Sequence, residues 1–257
     1  MNRKSGVLFD LDGVFYMSNQ AIDGGQKLID SLRNKSIPFR FLTNTTTKTR
    51  KDICEKLGDI GLQVKENEIF SAAYIGINYL RSIGSPPCYL LIHKEIYSDY
   101  SEFDSHNRRP EFVVVGDRGH NWNYDDLNKG FRYLMEGAGL IALHKGRYFQ
   151  TSDGLEIDIG AFVAGFEYSS GKTAVSLGKP NPLFFQTVLK DISMKSEEVI
   201  MVGDDLINDI GGAQKTGIEG VLVRTGKFRE SDLLHPEIKP DYIIESINEF
   251  EDLLSLS

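Results

Sequence analysis

Cysteine is scarce. Cys54 and Cys88 are the only two in 257 residues, too few for a disulfide framework and consistent with a reducing compartment. Long apolar runs are missing as well. No stretch approaches the ~20 apolar residues that a membrane-spanning helix needs. Near the N-terminus, Val7-Leu8-Phe9 is interrupted by Asp10, which leaves too short an apolar run for a secretory signal. Positive charge is in deficit, with 29 Lys+Arg against 37 Asp+Glu, a net charge of −8 and a pI near 5.2. An acidic surface repels nucleic-acid phosphates and anionic lipid, so neither is an expected partner. The five histidines and two cysteines do not cluster at ligand spacing, which argues against a zinc site. Internal repeats and low-complexity segments are absent. These absences predict a soluble cytoplasmic protein with no membrane or nucleic-acid partner.

A hydrophobic fraction of 40% and a charged fraction of 26% are those of a globular chain and exclude disorder, collagen and coiled coil. At ~150 residues per domain the length suits one large or two modest domains. Short apolar runs alternate with amphipathic stretches, the pattern of an α/β fold with a parallel sheet. Strands are predicted at Val7–Phe9, Pro38–Leu42, Val199–Val202 and Val221–Val223. Helices are predicted over Ile22–Lys35, over Thr47–Leu57 with Thr45 or Thr46 as cap, through Phe184–Ile192, over Asn208–Thr216, and through Ile247, Phe250 and Leu254. The middle reads as a separate block. Gly84-Ser85-Pro86-Pro87 follows a predicted helix Ala72–Ile83, and strands are predicted at Tyr89–Ile92, Phe112–Val115 and Leu140–Leu143. Tyr124, Leu127, Phe131 and Leu134 mark one helix and Phe162–Ser169 another. The expected organisation is a core of residues 1–83 and 173–257 with a second domain, 84–172, inserted into it.

Two phosphate-loop patterns fail on inspection. Gly171-Lys172-Thr173 resembles the end of a Walker loop, but the first glycine would have to occupy position 166, which is Phe166. Gly137-Ala138-Gly139 follows a helix and enters a strand, the reverse of a dinucleotide-binding turn, and suits a glycine helix cap better.

Four other stretches carry chemistry. In Val7-Leu8-Phe9-Asp10-Leu11-Asp12-Gly13 an apolar strand ends in two carboxylates one residue apart, which strand alternation puts on one face. They emerge at the carboxyl end of a strand, where open α/β sheets place ligands. One suits a nucleophile or metal ligand and the other an acid/base; an Asp-Gly turn is the plain alternative. Phe41-Leu42-Thr43-Asn44-Thr45 also ends a strand, and the Thr43 hydroxyl with nearby backbone N–H groups suits an anion at a helix start; simple capping is the alternative. In Leu177-Gly178-Lys179-Pro180, Lys179 stands just before a helix, suited to neutralising a phosphoryl group, or is a surface lysine at a turn. Val199-Ile200-Met201-Val202-Gly203-Asp204-Asp205 is another buried-type strand ending in acids. Asp204 with Asp10 would satisfy the one or two carboxylates that Mg²⁺ takes, whereas Asp205 and Asp209 fit an acidic helix start.

This ordered set resembles the haloacid dehalogenase (HAD) superfamily of phosphohydrolases. Asp10-Leu11-Asp12-Gly13-Val14 is similar to its first motif, Thr43-Asn44 to its second, Lys179-Pro180 to its third, and Gly203-Asp204-Asp205 with Asp209 to its fourth. An insert between the second and third motifs resembles the C2-type cap of the NagD-like branch. Leu140–Tyr148, Asp153-Gly154-Leu155 and the tail Val223-Arg224-Thr225-Gly226-Lys227-Phe228 resemble the subtype of the HAD-like hydrolase domain-containing 2 proteins and the phospholysine/phosphohistidine/pyrophosphate phosphatases. Leu143-His144 stands where nucleotide- and sugar-phosphate members of the branch typically carry Thr-Asn, which weakens the transfer of their substrates to this chain.

The resemblance implies a Rossmann-like doubly wound sheet with an inserted α/β cap, and a Mg²⁺-dependent hydrolysis of small phosphorylated metabolites. Asp10 would form an aspartyl-phosphate, and Asp12 would protonate the leaving group and then activate water. Asp10, the Asp12 carbonyl and Asp204 would hold the metal. Thr43, Asn44 and Lys179 would bind the transferring phosphoryl group, with Asp209 and Asp205 in support. Inorganic pyrophosphate or P–N bonds are alternative targets, and a non-catalytic phosphate binder is a further alternative. The basic loop His144-Lys145-Gly146-Arg147 is a candidate for substrate selection, with a solvated hairpin as the alternative. Val14-Phe15-Tyr16 is expected to pack under the cap. The branch allows a homodimer through cap surfaces, though no patch in the sequence requires one.

Overall fold

A computed structural model of the chain describes residues 4–151 and 154–256. It is an α/β structure that divides into two compact units, one made of residues 1–43, 50–70 and 179–257, the other of residues 44–49 and 71–178. The helix Ala72–Ser82, at the end of the first block in the sequence reading, belongs to the second unit.

The first unit is organised on a six-stranded sheet in the order Tyr242–Ile244, Glu219–Val223, Val199–Gly203, Gly6–Asp10, Phe39–Thr43, Ile69–Ser71. Gly6–Asp10 pairs in parallel with Val199–Gly203 on one side and with Phe39–Thr43 on the other. Such a strand is covered on both faces, which is why its sequence is an unbroken apolar run. The chain runs outward from this strand in both directions, so its carboxyl end is the switch point where a parallel sheet opens a crevice. Phe9, just before Asp10, meets Phe15 edge-on at 5.1 Å and Phe250 at 5.5 Å, and Phe15 meets Phe41 at 5.1 Å. Each such pair adds about 0.5–1.5 kcal/mol beyond burial, so the strand end is anchored by rings from three other segments. Val14, Phe15 and Tyr16 therefore belong to the core of the first unit.

Leu28, Ile29 and Leu32 bury one face of the helix Gly25–Asn34. The next helix begins only at Arg50, too far along for Thr45 or Thr46 to cap it; the Thr46 hydroxyl instead accepts from the Asp117 N–H at 3.1 Å. Asn181 caps the helix Pro182–Ile192 by accepting from the Leu183 N–H. Where a helix over 208–216 is predicted, the chain makes a wide π-type turn, Leu206–Gly211, before a short α segment, Gly212–Gln214.

The second unit has its own parallel sheet, in the order Val175–Ser176, Gly139–Ala142, Phe112–Val115, Cys88–Leu91. Leu134, Val163 and Phe166 from the helices Tyr124–Met135 and Gly160–Ser170 pack with Leu91, Val113, Val115 and Leu140 into its core. Tyr148–Thr151 and Gly154–Ile157 form an antiparallel hairpin. Asp153, in the motif Asp153-Gly154-Leu155, lies outside the described residues. Among the described residues no helix is long and apolar enough to cross a membrane.

Candidate active site

Each candidate site residue of the first unit is positioned by the element beside it. Asp10 is the last residue of its strand and is buried. Gly13, with φ +82°, turns the chain at once; its N–H donates to the Tyr16 carbonyl at 2.8 Å, which leaves Asp12 exposed on the turn. Thr43, also buried, ends the neighbouring strand. Lys179 reaches inward, and its Nζ donates to Asp10 Oδ1 at 2.6 Å, to Asp209 Oδ1 at 2.6 Å and to the Leu42 carbonyl at 3.4 Å.

Asp204 follows the Val199–Gly203 strand and is 1% exposed. Its Oδ2 accepts the Lys227 N–H at 2.7 Å. A Cβ on either Gly13 or Gly226 would collide with that oxygen, so two glycines make room for one carboxylate. Asp204 Oδ1 is buried without a hydrogen-bond partner. Asp209, in the π-type turn, uses Oδ1 for Lys179 and Oδ2 to accept the Asp205 N–H at 3.2 Å. Asp205 is turned away as a cap, accepting from the N–H groups of Ile207 and Asn208 and from the Asn208 amide.

Asp10, Asp204 and Asp209 thus bring carboxylate oxygens within 4.8 Å of one another around a single buried ammonium. Burial, with the charges of Asp10 and Asp209, pushes the Asp204 carboxyl well above its ordinary range. Burial pushes Asp209 up to about 7 against the pull of Lys179. Burial would neutralise Lys179, but Asp10 and Asp209 outweigh it and hold the ammonium charged. Three carboxylates and one ammonium leave negative charge uncompensated, so the cluster calls for a proton or a cation. The unpartnered Asp204 oxygen and the all-oxygen donor set fit a hard divalent ion such as Mg²⁺. Asp209 has both oxygens engaged, which leaves Asp10 and Asp204 as the carboxylates best able to bind it.

Asp12 is exposed, yet the protein around it strips enough hydration to raise its carboxyl, and Asp10 adds to the shift; Lys227 and Lys56 oppose it. A carboxyl that holds its proton more firmly than usual suits a leaving-group donor.

The other expected residues lie in the second unit. Asn44 stands beside Gly178, where a Cβ would come within 2.8 Å of its Oδ1. His144 is buried; its Nδ1 accepts the Gly146 N–H at 3.0 Å and its Nε2 lies 3.7 Å from Asp158 Oδ1. Lys145 donates to Glu167 at 2.8 Å, while Arg147 is exposed. The loop is therefore less open than its sequence suggests: the histidine faces inward and the lysine is paired.

The loop after Glu219–Val223 also reaches this site. Besides the Lys227 N–H on Asp204, it supplies the Thr225 hydroxyl, which donates to the Gly13 carbonyl. The signal that could have found it is the rule that found the others, since Thr225-Gly226-Lys227 also follows the carboxyl end of a buried strand.

Residues 7–106 match the family model described as haloacid dehalogenase-like hydrolase, and residues 176–250 match a second, described as HAD-hydrolase-like. Over 255 residues the chain is 38% identical to the phospholysine phosphohistidine inorganic pyrophosphate phosphatase of Homo sapiens, covering 97% of this chain and 93% of that protein. The chain belongs to the haloacid dehalogenase-like hydrolases. Solved structures agree. The 4-nitrophenylphosphatase of Thermotoga maritima superposes with a TM-score of 0.89 at 28% identity, covering 96% of each chain. NagD of E. coli K-12 gives 0.86 at 27% identity, covering 95% of this chain and 97% of that one. The chain is thus a HAD-superfamily phosphatase of the NagD-like branch, with the Rossmann-like α/β core of these enzymes.

Proposed function

We propose that this phosphatase hydrolyses small phosphorylated metabolites through a covalent aspartyl-phosphate on Asp10, with Mg²⁺ as cofactor. The observation that carries the reading is the buried Asp10–Lys179–Asp209 chain beside Asp204, whose free oxygen costs the fold about 1–3 kcal/mol until something binds it. Asp10, Asp204 and the Asp12 carbonyl would hold the ion. When bound, it supplies positive charge against the repulsion between an anionic nucleophile and a phosphate dianion.

In the first step an Asp10 oxygen attacks phosphorus as the bond to the leaving oxygen breaks, and Asp12 gives its proton to that oxygen. In the second, the Asp12 carboxylate takes a proton from water, whose oxygen attacks the aspartyl-phosphate and frees Asp10. Lys179 is aimed at Asp10 and offsets charge on the transferring group, a role shared with Thr43 and, by the resemblance, Asn44. Asp209 orients Lys179, and Asp205 stiffens the turn that carries Asp209. We assign the second unit as the C2-type cap, and its His144, Lys145 and Arg147 loop to substrate selection.

A second reading, favoured by the 38% identity to a phospholysine, phosphohistidine and pyrophosphate phosphatase, is cleavage of pyrophosphate or P–N bonds at the same site. The test is release of p-nitrophenol from p-nitrophenyl phosphate, with pyrophosphate, phospholysine and phosphohistidine run in parallel. Turnover with Mg²⁺ that EDTA abolishes is expected. Failure to turn over any substrate at any metal level would leave only a phosphate binder.

A further inference from the structure

The loop after the Glu219–Val223 strand is braced at three points. The Thr225 hydroxyl donates to the Gly13 carbonyl. The Lys227 N–H donates to Asp204 at 2.7 Å. Arg229 Nη1 spans the carbonyls of Phe228, Lys227 and Gly226 at 2.7, 3.1 and 3.3 Å. The root of the Lys227 side chain is thereby fixed beside the acidic centre, while its ammonium is not. Asp205 Oδ2 lies 3.6 Å from Nζ, beyond hydrogen-bond reach, and Asp205 already serves Ile207 and Asn208. The side chain is 63% exposed. Lys179 shows the contrast, locked at 2.6 Å onto two carboxylates.

A second ammonium approaches Asp12 from the helix Arg50–Asp59. Lys56 Nζ stands 4.3 Å from the centre of the Tyr16 ring, and Tyr16 bridges by its backbone to Asp12. Among the described residues neither ammonium donates a hydrogen bond to a carboxylate. Lys227, loosely paired with Asp205 on a loop tied to Gly13, and Lys56, over the Tyr16 ring, therefore leave two weakly held positive charges near the segment that carries Asp12.

We propose that Lys227 and Lys56 form the leaving-group subsite and select substrates whose leaving group carries negative charge of its own, such as a second phosphoryl group. The proposal rests on Asp12 as the acid of the proposed reaction. With pyrophosphate, the Asp10 oxygen bonds to one phosphorus as the bridging P–O bond breaks. The electron pair of that bond stays on the departing phosphate, which takes the Asp12 proton and leaves between the two ammonium groups. An ester with a neutral leaving group gives these lysines nothing to hold. A hydrogen bond to a charged group corresponds to about a tenfold preference.

The experiment compares kcat/KM for pyrophosphate and for p-nitrophenyl phosphate in Lys227→Ala, Lys56→Ala, the double variant, Lys227→Arg and Lys56→Arg. The ratio of the two values is expected to fall about tenfold in each alanine variant and further in the double, through KM for pyrophosphate, with arginine restoring most of it. Rising ionic strength should erode the ratio in the wild type more than in the double variant. An unchanged ratio, or equal losses on both substrates, overturns the proposal, as does a wild type that cleaves the ester and spares pyrophosphate. Lys56→Ala, at an exposed helix position, carries the test alone if Lys227→Ala does not fold. A wild type inactive on both substrates strikes instead at the phosphatase reading beneath it.

Discussion

The molecule contains two parallel sheets with opposite endings. The strands of the first unit run out into Asp10, Thr43 and, one residue past Gly203, Asp204. Those of the second run out into Leu91-Ile92, Val115-Gly116 and Ala142-Leu143. Both interiors are apolar and fully packed. A parallel sheet thus provides a place for chemistry without specifying it, and the side chain one position beyond the core decides. The first sheet accepts several buried charges at the carboxyl ends of its strands, where each ion costs several kcal/mol unless paired; the second places one buried histidine, His144, beyond a strand end, beside Asp158.

The contrast breaks most sharply at Asp10. Asp10→Asn keeps the shape of the strand end and is expected to lower turnover at least about a thousandfold, with circular dichroism unchanged; activity within tenfold of wild type would remove Asp10 as nucleophile. Lys179→Ala should cost about 3–4 kcal/mol of transition-state stabilisation, read from kcat/KM. A loss confined to KM would instead make Lys179 a ground-state binder.

Acidity sharpens the contrast without a substrate. Asp204 and Asp209 hold protons in the native state at pH values where the unfolded chain has lost them. Where the native state binds more protons, stability falls as pH rises. This contribution is intact near the ordinary carboxylate pKa and is lost as pH climbs through about 7 for Asp209. The metal-free protein should therefore melt lower at pH 8 than at pH 5, and Mg²⁺ should raise Tm more at pH 8. Equal Mg²⁺ shifts at both values would dissociate the cluster from metal binding. The smallest effects belong to the second unit. Lys145→Ala, which breaks a partly exposed pair with Glu167, should change KM less than about threefold. Arg147→Ala should raise KM a few-fold for anionic phosphoesters and leave neutral ones alone; no difference between the two retires that loop from selection.

Much of this was legible in the sequence because buried parallel strands are short unbroken apolar runs, and a carboxylate ending such a run stands out. Gly6–Asp10, Phe39–Thr43, Phe112–Val115 and Val199–Gly203 were readable on that basis. The strands Ile69–Ser71 and Tyr242–Ile244 were not, since three residues carry no period and both lie at sheet edges. The environment of His144 was hidden for another reason. Its burial depends on Gly146 and Asp158, a glycine and an acid that no spacing rule connects to it. The loop after Glu219–Val223 could be found from its strand, but not which of its atoms braces Asp204, because a backbone N–H such as that of Lys227 leaves no trace in a sequence.

The central strand has one further implication, for the growing chain. Gly6–Asp10 finds one neighbour in Phe39–Thr43, but the other arrives only with Val199–Gly203. At ~5–20 residues per second, translation separates those events by on the order of ten seconds or more, during which the strand has an open edge. Lys179 and Asp204 emerge in the same late stretch, so a polypeptide interrupted midway carries Asp10, the proposed nucleophile, without its counter-charge. On the proposed mechanism, the enzyme is assembled inert and becomes competent only with its final third.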